Sequence, residues 1–213
     1  MNDSSKNTLN DAFQSADLDD KLWMFYSKHA RALMSIAVLA LVLSGIAIAI
    51  VIGYHVSEKR MKSAYLEAIH GGNREDFARK YCSTPLGGTV FLELADAAYQ
   101  RKEYQQAADH YQRAAAGLGK NIFGGRAAIG EGTALLHLGL TSEGEALLSK
   151  VAEEQAYPLL IRGHGLWLLG SSIYERGDQN RAKAVLHKLA NSNFPDCWKD
   201  KAKILLQEIG SAL

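Results

Sequence analysis

From residue 32 to residue 53 the chain reads ALMSIAVLALVLSGIAIAIVIG, 22 positions without a charge and with Ser35 and Ser44 as the only hydroxyls. At about 1.5 Å per residue such a helix is about 33 Å long, enough to cross a hydrocarbon core of about 30 Å. A helix satisfies its own backbone polar groups, so the serines and glycines in the run are compatible with lipid. Trp23, Phe25 and Tyr26 precede the run and Tyr54 follows it, and aromatic rings suit the membrane interface. A polar leader stands in front of the run, and the apolar core exceeds that of a cleaved signal peptide. A soluble core helix of this length would carry polar breaks. The pattern therefore predicts one transmembrane helix over residues 32–54, in contact with a lipid bilayer. Leu18, Leu22, Trp23 and Phe25 fit either a short amphipathic helix at the interface or a continuation of the membrane helix.

Beyond Tyr54 apolar residues recur at three- and four-residue spacing, interrupted by Gly-containing turns, and no strand-like alternation persists. The predicted class is all-α. Residues 58–70 extend the membrane helix, with Met61, Tyr65 and Ile69 on one stripe, and Gly71-Gly72-Asn73 ends it. Residues 76–82 form a short second helix. Three similar units follow. Ala95, Gly132 and Gly170 align at intervals of 37 and 38 residues, as do Ala107, Gly144 and Ala182, and again Tyr111, Leu148 and Leu186. Each unit reads as a helical hairpin, with turns at Arg101-Lys102-Glu103, at Gly139 and at Gly177-Asp178. The small residues mark close crossings of two helices, and the large ones fill the space between units. Trp198, Ala202, Leu205, Leu206 and Ile209 define a terminal amphipathic helix after Phe194-Pro195. The organisation is a polar leader over 1–31, the membrane helix over 32–54, a linker helix and capping hairpin over 55–87, three repeats over 88–191, and a capping helix over 192–213. Eight or nine helices are expected after the anchor.

These units resemble the tetratricopeptide repeat, in which a large residue, a Leu-Gly or Leu-Ala pair and an apolar residue in one helix are followed by a small and a large residue in the next. The third unit matches best, through Leu166, Leu169-Gly170, Tyr174, Ala182 and Leu186. The second departs, with Glu131 in place of the usual Leu, and the intervals exceed the usual period of about 34. The resemblance implies an α-solenoid whose first helices line a groove. By that analogy the groove positions are Leu92, Asp96 and Tyr99, then Ile129, Thr133 and Leu136, then Trp167, Ser171 and Tyr174. Such a mixture suits an extended or helical peptide, with Trp167, Tyr99 and Tyr174 as anchors. The same residues would equally serve as packing against neighbouring helices.

Composition narrows the function. The chain has 213 residues, with 24 Lys and Arg against 23 Asp and Glu, so it lacks the basic excess of a nucleic-acid binder. Cys82 and Cys197 sit outside any metal-like spacing and at opposite ends of the expected stack, which argues against a mutual disulfide and reads them as small buried residues. None of the seven histidines forms an HExxH pair. Gly87-Gly88 and Gly124-Gly125 read as loops between helices and lack the Lys-Ser or Lys-Thr of a phosphate loop. No catalytic residue, cofactor, metal or small-molecule substrate is assigned, and enzyme activity is not expected.

The layout, the Pro85-Leu86-Gly87-Gly88 stretch and the helix carrying Trp198, Ala202 and Leu205 resemble bacterial inner-membrane tetratricopeptide proteins that are ancillary subunits of the SecYEG translocon. The resemblance implies a scaffold or chaperone-like module that binds translocated envelope proteins. Alternatives are an assembly scaffold for cell division, a pilus or the outer-membrane machinery, and a subunit of a membrane enzyme or sensor. Lys21, Lys28 and Arg31 on one side nearly balance Lys59, Arg60 and Lys62 on the other. A short leader favours a cytoplasmic N-terminus and an extracytoplasmic, periplasmic repeat domain.

Overall fold

The computed structural model describes residues 18–211. The leader up to residue 17 lies outside the described residues. Among the described residues there are nine helices and no strand: α1 (Leu18–Gly71), α2 (Arg74–Lys80), α3 (Pro85–Gln100), α4 (Tyr104–Leu118), α5 (Ile122–His137), α6 (Thr141–Glu153), α7 (Leu159–Glu175), α8 (Gln179–Ala190) and α9 (Asp196–Ser211). Eight helices therefore follow the first. The chain divides into two compact units at Arg60/Met61.

The first unit is α1 up to Arg60. It runs without interruption from Leu18, so Leu22, Trp23 and Phe25 continue the apolar helix. Among the described residues one helix is long and apolar enough to cross a membrane, with a mean hydropathy of 2.9 and none of that stretch buried. The described large apolar side chains between Met34 and Ile52 are each more than half exposed, where a soluble core helix would bury them. The two hydroxyls in the run are satisfied within the helix, Ser35 donating to Arg31 O at 2.9 Å and Ser44 to Leu41 O at 2.9 Å.

The second unit begins at Met61. Glycine at +78° in φ ends α1 at Gly72, as the sequence predicts. Tyr65 of α1 meets Phe77 of α2 with ring centroids 5.5 Å apart. From α2 onward each helix packs on the next, and the odd-numbered helices also touch in series, α3 on α5, α5 on α7 and α7 on α9. No comparable contact joins α4, α6 and α8. The odd helices thus form one continuous row and the even helices flank it. Apolar packing falls into two clusters that meet at α5, one from Ala68 to Ala134 and one from Ala128 to Ile209.

The 37- and 38-residue period reappears in the backbone. The three hairpin turns each hold one residue with positive φ, Lys102 at 63°, Gly139 at 81° and Gly177 at 89°, and these positions stand at the intervals already found for the small residues. The close crossings are also present. A Cβ on Gly144 would lie 2.8 Å from Gly132 O, and one on Gly170 2.8 Å from Leu186 Cδ2. Tyr111 fills the gap to the next hairpin, since a Cβ on Gly130 would lie 2.6 Å from its ring.

Two expectations are corrected. Gly87-Gly88 and Gly124-Gly125 are not loops; they are buried in the first turns of α3 and α5. Those helices are capped just upstream, Gly87 N donating to Thr84 Oγ1 at 3.1 Å, and Phe123 N and Gly124 N donating to Asn121 Oδ1 at 2.9 and 3.0 Å. Small residues are required there because a Cβ would fall 2.1 Å from Tyr81 O at Gly87 and 1.8 Å from Gly119 O at Gly124. Cys82 and Cys197 are free thiols, and both are exposed rather than buried, because each sits in or beside a turn between helices.

Candidate functional site

The nine candidate residues lie on the odd helices, and the packing sorts them into three groups. Leu92 and Ile129 belong to the core, each only 4% exposed, and are not available to a ligand. Leu136 is half-buried and turned toward α6, where it closes on Gly144: a Cβ there would sit 2.8 Å from Leu136 Cγ. Packing therefore claims three positions expected to line a groove.

Asp96, Tyr99 and Thr133 form a polar and aromatic junction between α3 and α5. Tyr111 Oη donates to Asp96 Oδ1 at 2.7 Å, and Arg126 Nη2 donates to Asp96 Oδ2 at 2.5 Å. Asp96 thereby ties α3 to both α4 and α5. Burial, reinforced by the Asp96 carboxylate that accepts its proton, holds the Tyr111 phenol well above the ordinary range. Tyr99 touches Tyr104, Tyr111 and His137 edge-on, and Tyr104 stacks on His137 at 4.7 Å. Burial also raises the Tyr99 phenol, with Tyr104 adding to it. Thr133 Oγ1 donates back to Ile129 O at 2.9 Å. These rings close on one another, so the junction is a joint between hairpins.

Trp167, Ser171 and Tyr174 come together. They line a mainly apolar cavity of about 390 Å³ between α7 and α9, with Lys201, Ile204 and Glu208 on the opposite wall. Ile204 is 65% exposed. Lys201 Nζ stands 5.9 Å from the Trp167 ring and 4.8 Å from that of Trp198. Tyr174 Oη donates to Glu208 Oε1 at 3.3 Å, and desolvation together with that carboxylate raises the phenol's pKa. Behind the cavity His164 stacks on Trp198 at 4.4 Å. Its pKa is lowered by burial and by Lys201. The arrangement offers an aromatic and aliphatic floor with one cation, Lys201, and two carboxylates, Glu175 and Glu208, in its lining, which is chemistry suited to seating an apolar side chain of another polypeptide.

Lys201, Ile204 and Glu208 escaped the sequence reading. The terminal helix carries two stripes, and the one with Trp198, Ala202, Leu205 and Ile209 explains the core contact without them. The signal that marks them is the single apolar residue, Ile204, on the helix's otherwise charged stripe.

Glu131, which departs from the repeat pattern, is half-buried, and its carboxyl is raised by burial against the pull of Lys150. Among the described residues no group of three His, Cys, Asp or Glu side chains converges as a metal ion requires. No protein-family model matches the chain, and neither a curated protein nor a solved structure does.

Proposed function

We propose that this chain is a membrane-tethered protein-interaction module of the bacterial inner membrane. In this reading α1 crosses the bilayer once with its N-terminus in the cytoplasm, and the helices beyond Met61 are a tetratricopeptide-like solenoid in the periplasm. The solenoid acts as a scaffold or chaperone-like binder for envelope proteins emerging from the Sec translocon. The carrying observation is the Trp167–Ser171–Tyr174 cavity, because it presents a Trp, a Tyr and an exposed Ile204 at one open place on the row of odd helices. The serial contact of those helices and the recurrent left-handed turn positions support the repeat reading.

The test is photocrosslinking in living cells. A crosslinking amino acid at Trp167 or Ile204 should capture translocon subunits or newly exported proteins, while one at exposed Ala184 on α8 should not. Equal capture from all three positions, or capture of none, refutes the cavity as the binding site. Consistent recovery of a different envelope complex moves the role to assembly of that machine. An enzymatic reporter fused after Leu213 reads the topology independently.

A further inference from the structure

Large apolar side chains crown the starts of two successive odd helices. Ile122 and Phe123 open α5 and are 51% and 60% exposed; Leu159 and Leu160 open α7 and are 46% and 45% exposed. At the 38-residue interval between these two units Ile122 and Leu160 occupy equivalent places, whereas Phe123 stands where α7 has the buried Ile161. Both project from one edge of the second unit, as the close approaches establish: a Cβ on Gly125 of α5 would meet Ile161 and Tyr157 at the start of α7, at 2.4 and 3.1 Å.

That edge is also the one holding Met61, where the unit begins. Ala64 shares a cavity with Lys80 and Tyr81, at the far end of α2. Tyr81 O faces Gly87 at the start of α3, Gly88 abuts Leu118 at the end of α4, and Gly124 abuts Gly119. Each step stays at the same end of the stack. Met61 is only eight residues from Gly53, the last residue of the apolar run. Even fully extended, eight residues reach at most about 28 Å.

Charge does not select the partner. Lys120 pairs with Glu154 and Lys188 with Glu153, at 3.9 and 3.8 Å, so two cations of this edge are answered by its own anions, while Lys80 stands over the Tyr81 ring, 5.6 Å from its centroid. What remains is a set of half-exposed aliphatic and aromatic tips on the edge that holds Met61.

We infer that this edge rests on the membrane surface, with Phe123 and Leu160 inserted into the interface of the bilayer that α1 spans. The inference rests on the membrane reading of α1 and is independent of the peptide cavity. A shallow apolar contact of this kind places side chains about 5–10 Å into the headgroup and acyl boundary. It needs no anionic lipid and is insensitive to salt.

The test uses the full chain with Cys82→Ser and Cys197→Ser, reconstituted in phosphatidylcholine vesicles. Single cysteines carry a nitroxide in turn in Phe123→Cys, Leu160→Cys, Ser142→Cys on the opposite edge, and Val42→Cys within α1. Collision of each nitroxide with oxygen is compared with its collision with a water-soluble nickel chelate. The oxygen-to-nickel ratio at 123 and 160 should exceed that at 142 several-fold, and 0.5 M salt should leave it unchanged. Ratios at 123 and 160 equal to that at 142, with a lipid-like ratio at 42, overturn the inference while the span stands. An aqueous ratio at 42 overturns the span and the inference together. A nitroxide at 123 shielded from both collision partners means a protein contact and also overturns it. All four labelled positions lie outside the packed core of the second unit, and an unchanged far-ultraviolet circular dichroism spectrum confirms the fold in each variant.

Discussion

A single methyl group at Gly124 should loosen the joint between α4 and α5. Its Cβ would stand 1.8 Å from Gly119 O and 2.9 Å from Gly119 C. An ordinary carbon–oxygen contact is about 3.3 Å, so the backbone must open by about 1.5 Å. The obstacle is a main-chain carbonyl at the end of α4, which cannot swing aside as a side chain can. Overpacking costs about 1–3 kcal/mol, and a rigid obstacle puts this site at the upper end or above. Alanine's better helix propensity returns at most about 1 kcal/mol. Gly124→Ala should therefore destabilise the second unit by about 2 kcal/mol, or roughly 4–8 °C.

The same change at Gly210 is the control. That residue is exposed, helical and has nothing within 4 Å of its Cβ, so Gly210→Ala should be neutral or stabilising by up to about 1 kcal/mol. Both variants are compared with the parent in a Trp23→Phe background, with urea unfolding in detergent followed by Trp167 and Trp198 emission. An unfolding midpoint in Gly124→Ala equal to that of the parent would refute the close approach of the two helix ends.

Three further outcomes follow from the same geometry. Gly170→Leu must displace the fully buried Leu186 and should cost about 1–3 kcal/mol or more, read as a lower urea midpoint. Lys102 holds a left-handed φ of 63° where the other two hairpins have glycine, so Lys102→Gly should gain up to about 1 kcal/mol; a loss would count against the turn's conformation. His110 is 5% exposed with Nδ1 unpartnered, and burial lowers its pKa, Arg113 and Arg79 adding to that and Glu75 and Asp109 opposing it. A base whose pKa is lower folded than unfolded stabilises fully above about pH 6.5 and loses that contribution as pH falls toward the folded value. Urea midpoints taken between pH 7.5 and 5.5 should fall, and His110→Leu should flatten the fall, leaving the part due to His164.

The apolar helix and the turns were legible because each depends on chemistry local to its own residues. Charge-free length marks residues 32–54, and Gly72, Gly139 and Gly177 take up positive φ where the pattern breaks. The crossing residues were legible for a related reason: Ala95, Gly132 and Gly170 recur at 37 and 38 residues, as do Ala107, Gly144 and Ala182, and only a small residue tolerates so close a neighbour. The glycine pairs misled because glycine serves two ends. In a turn it supplies backbone freedom, whereas at Gly87 and Gly124 it supplies room, with ordinary helical backbone. The caps Thr84 and Asn121 were the available clue, since a cap three residues before a glycine pair places that pair inside a helix.

Of the nine candidate positions only the last three lie together on an open cavity, and the reason lies in the position of each hairpin in the stack. Leu92, Ile129 and Trp167 occupy equivalent places at 37- and 38-residue intervals, and by sequence alone they have equal claims to line a groove. Leu92 and Ile129 are each followed by a further full hairpin, and the facing helices bury them. Trp167 is followed by α9, a single helix whose Ala202 and Leu205 face the core while Lys201 and Ile204 do not. A Trp is also too large to be swallowed where a Leu or Ile fits. The result is a ring held half out of the core beside an exposed aliphatic side chain. Accessibility here is a property of what comes next in the chain. Replacing Ile204 with Ser should therefore diminish capture from Trp167 while leaving the urea midpoint within about 0.5 kcal/mol of the parent, as for an exposed position. A large loss of stability would mean that Ile204 belongs to the core and that the cavity is packing.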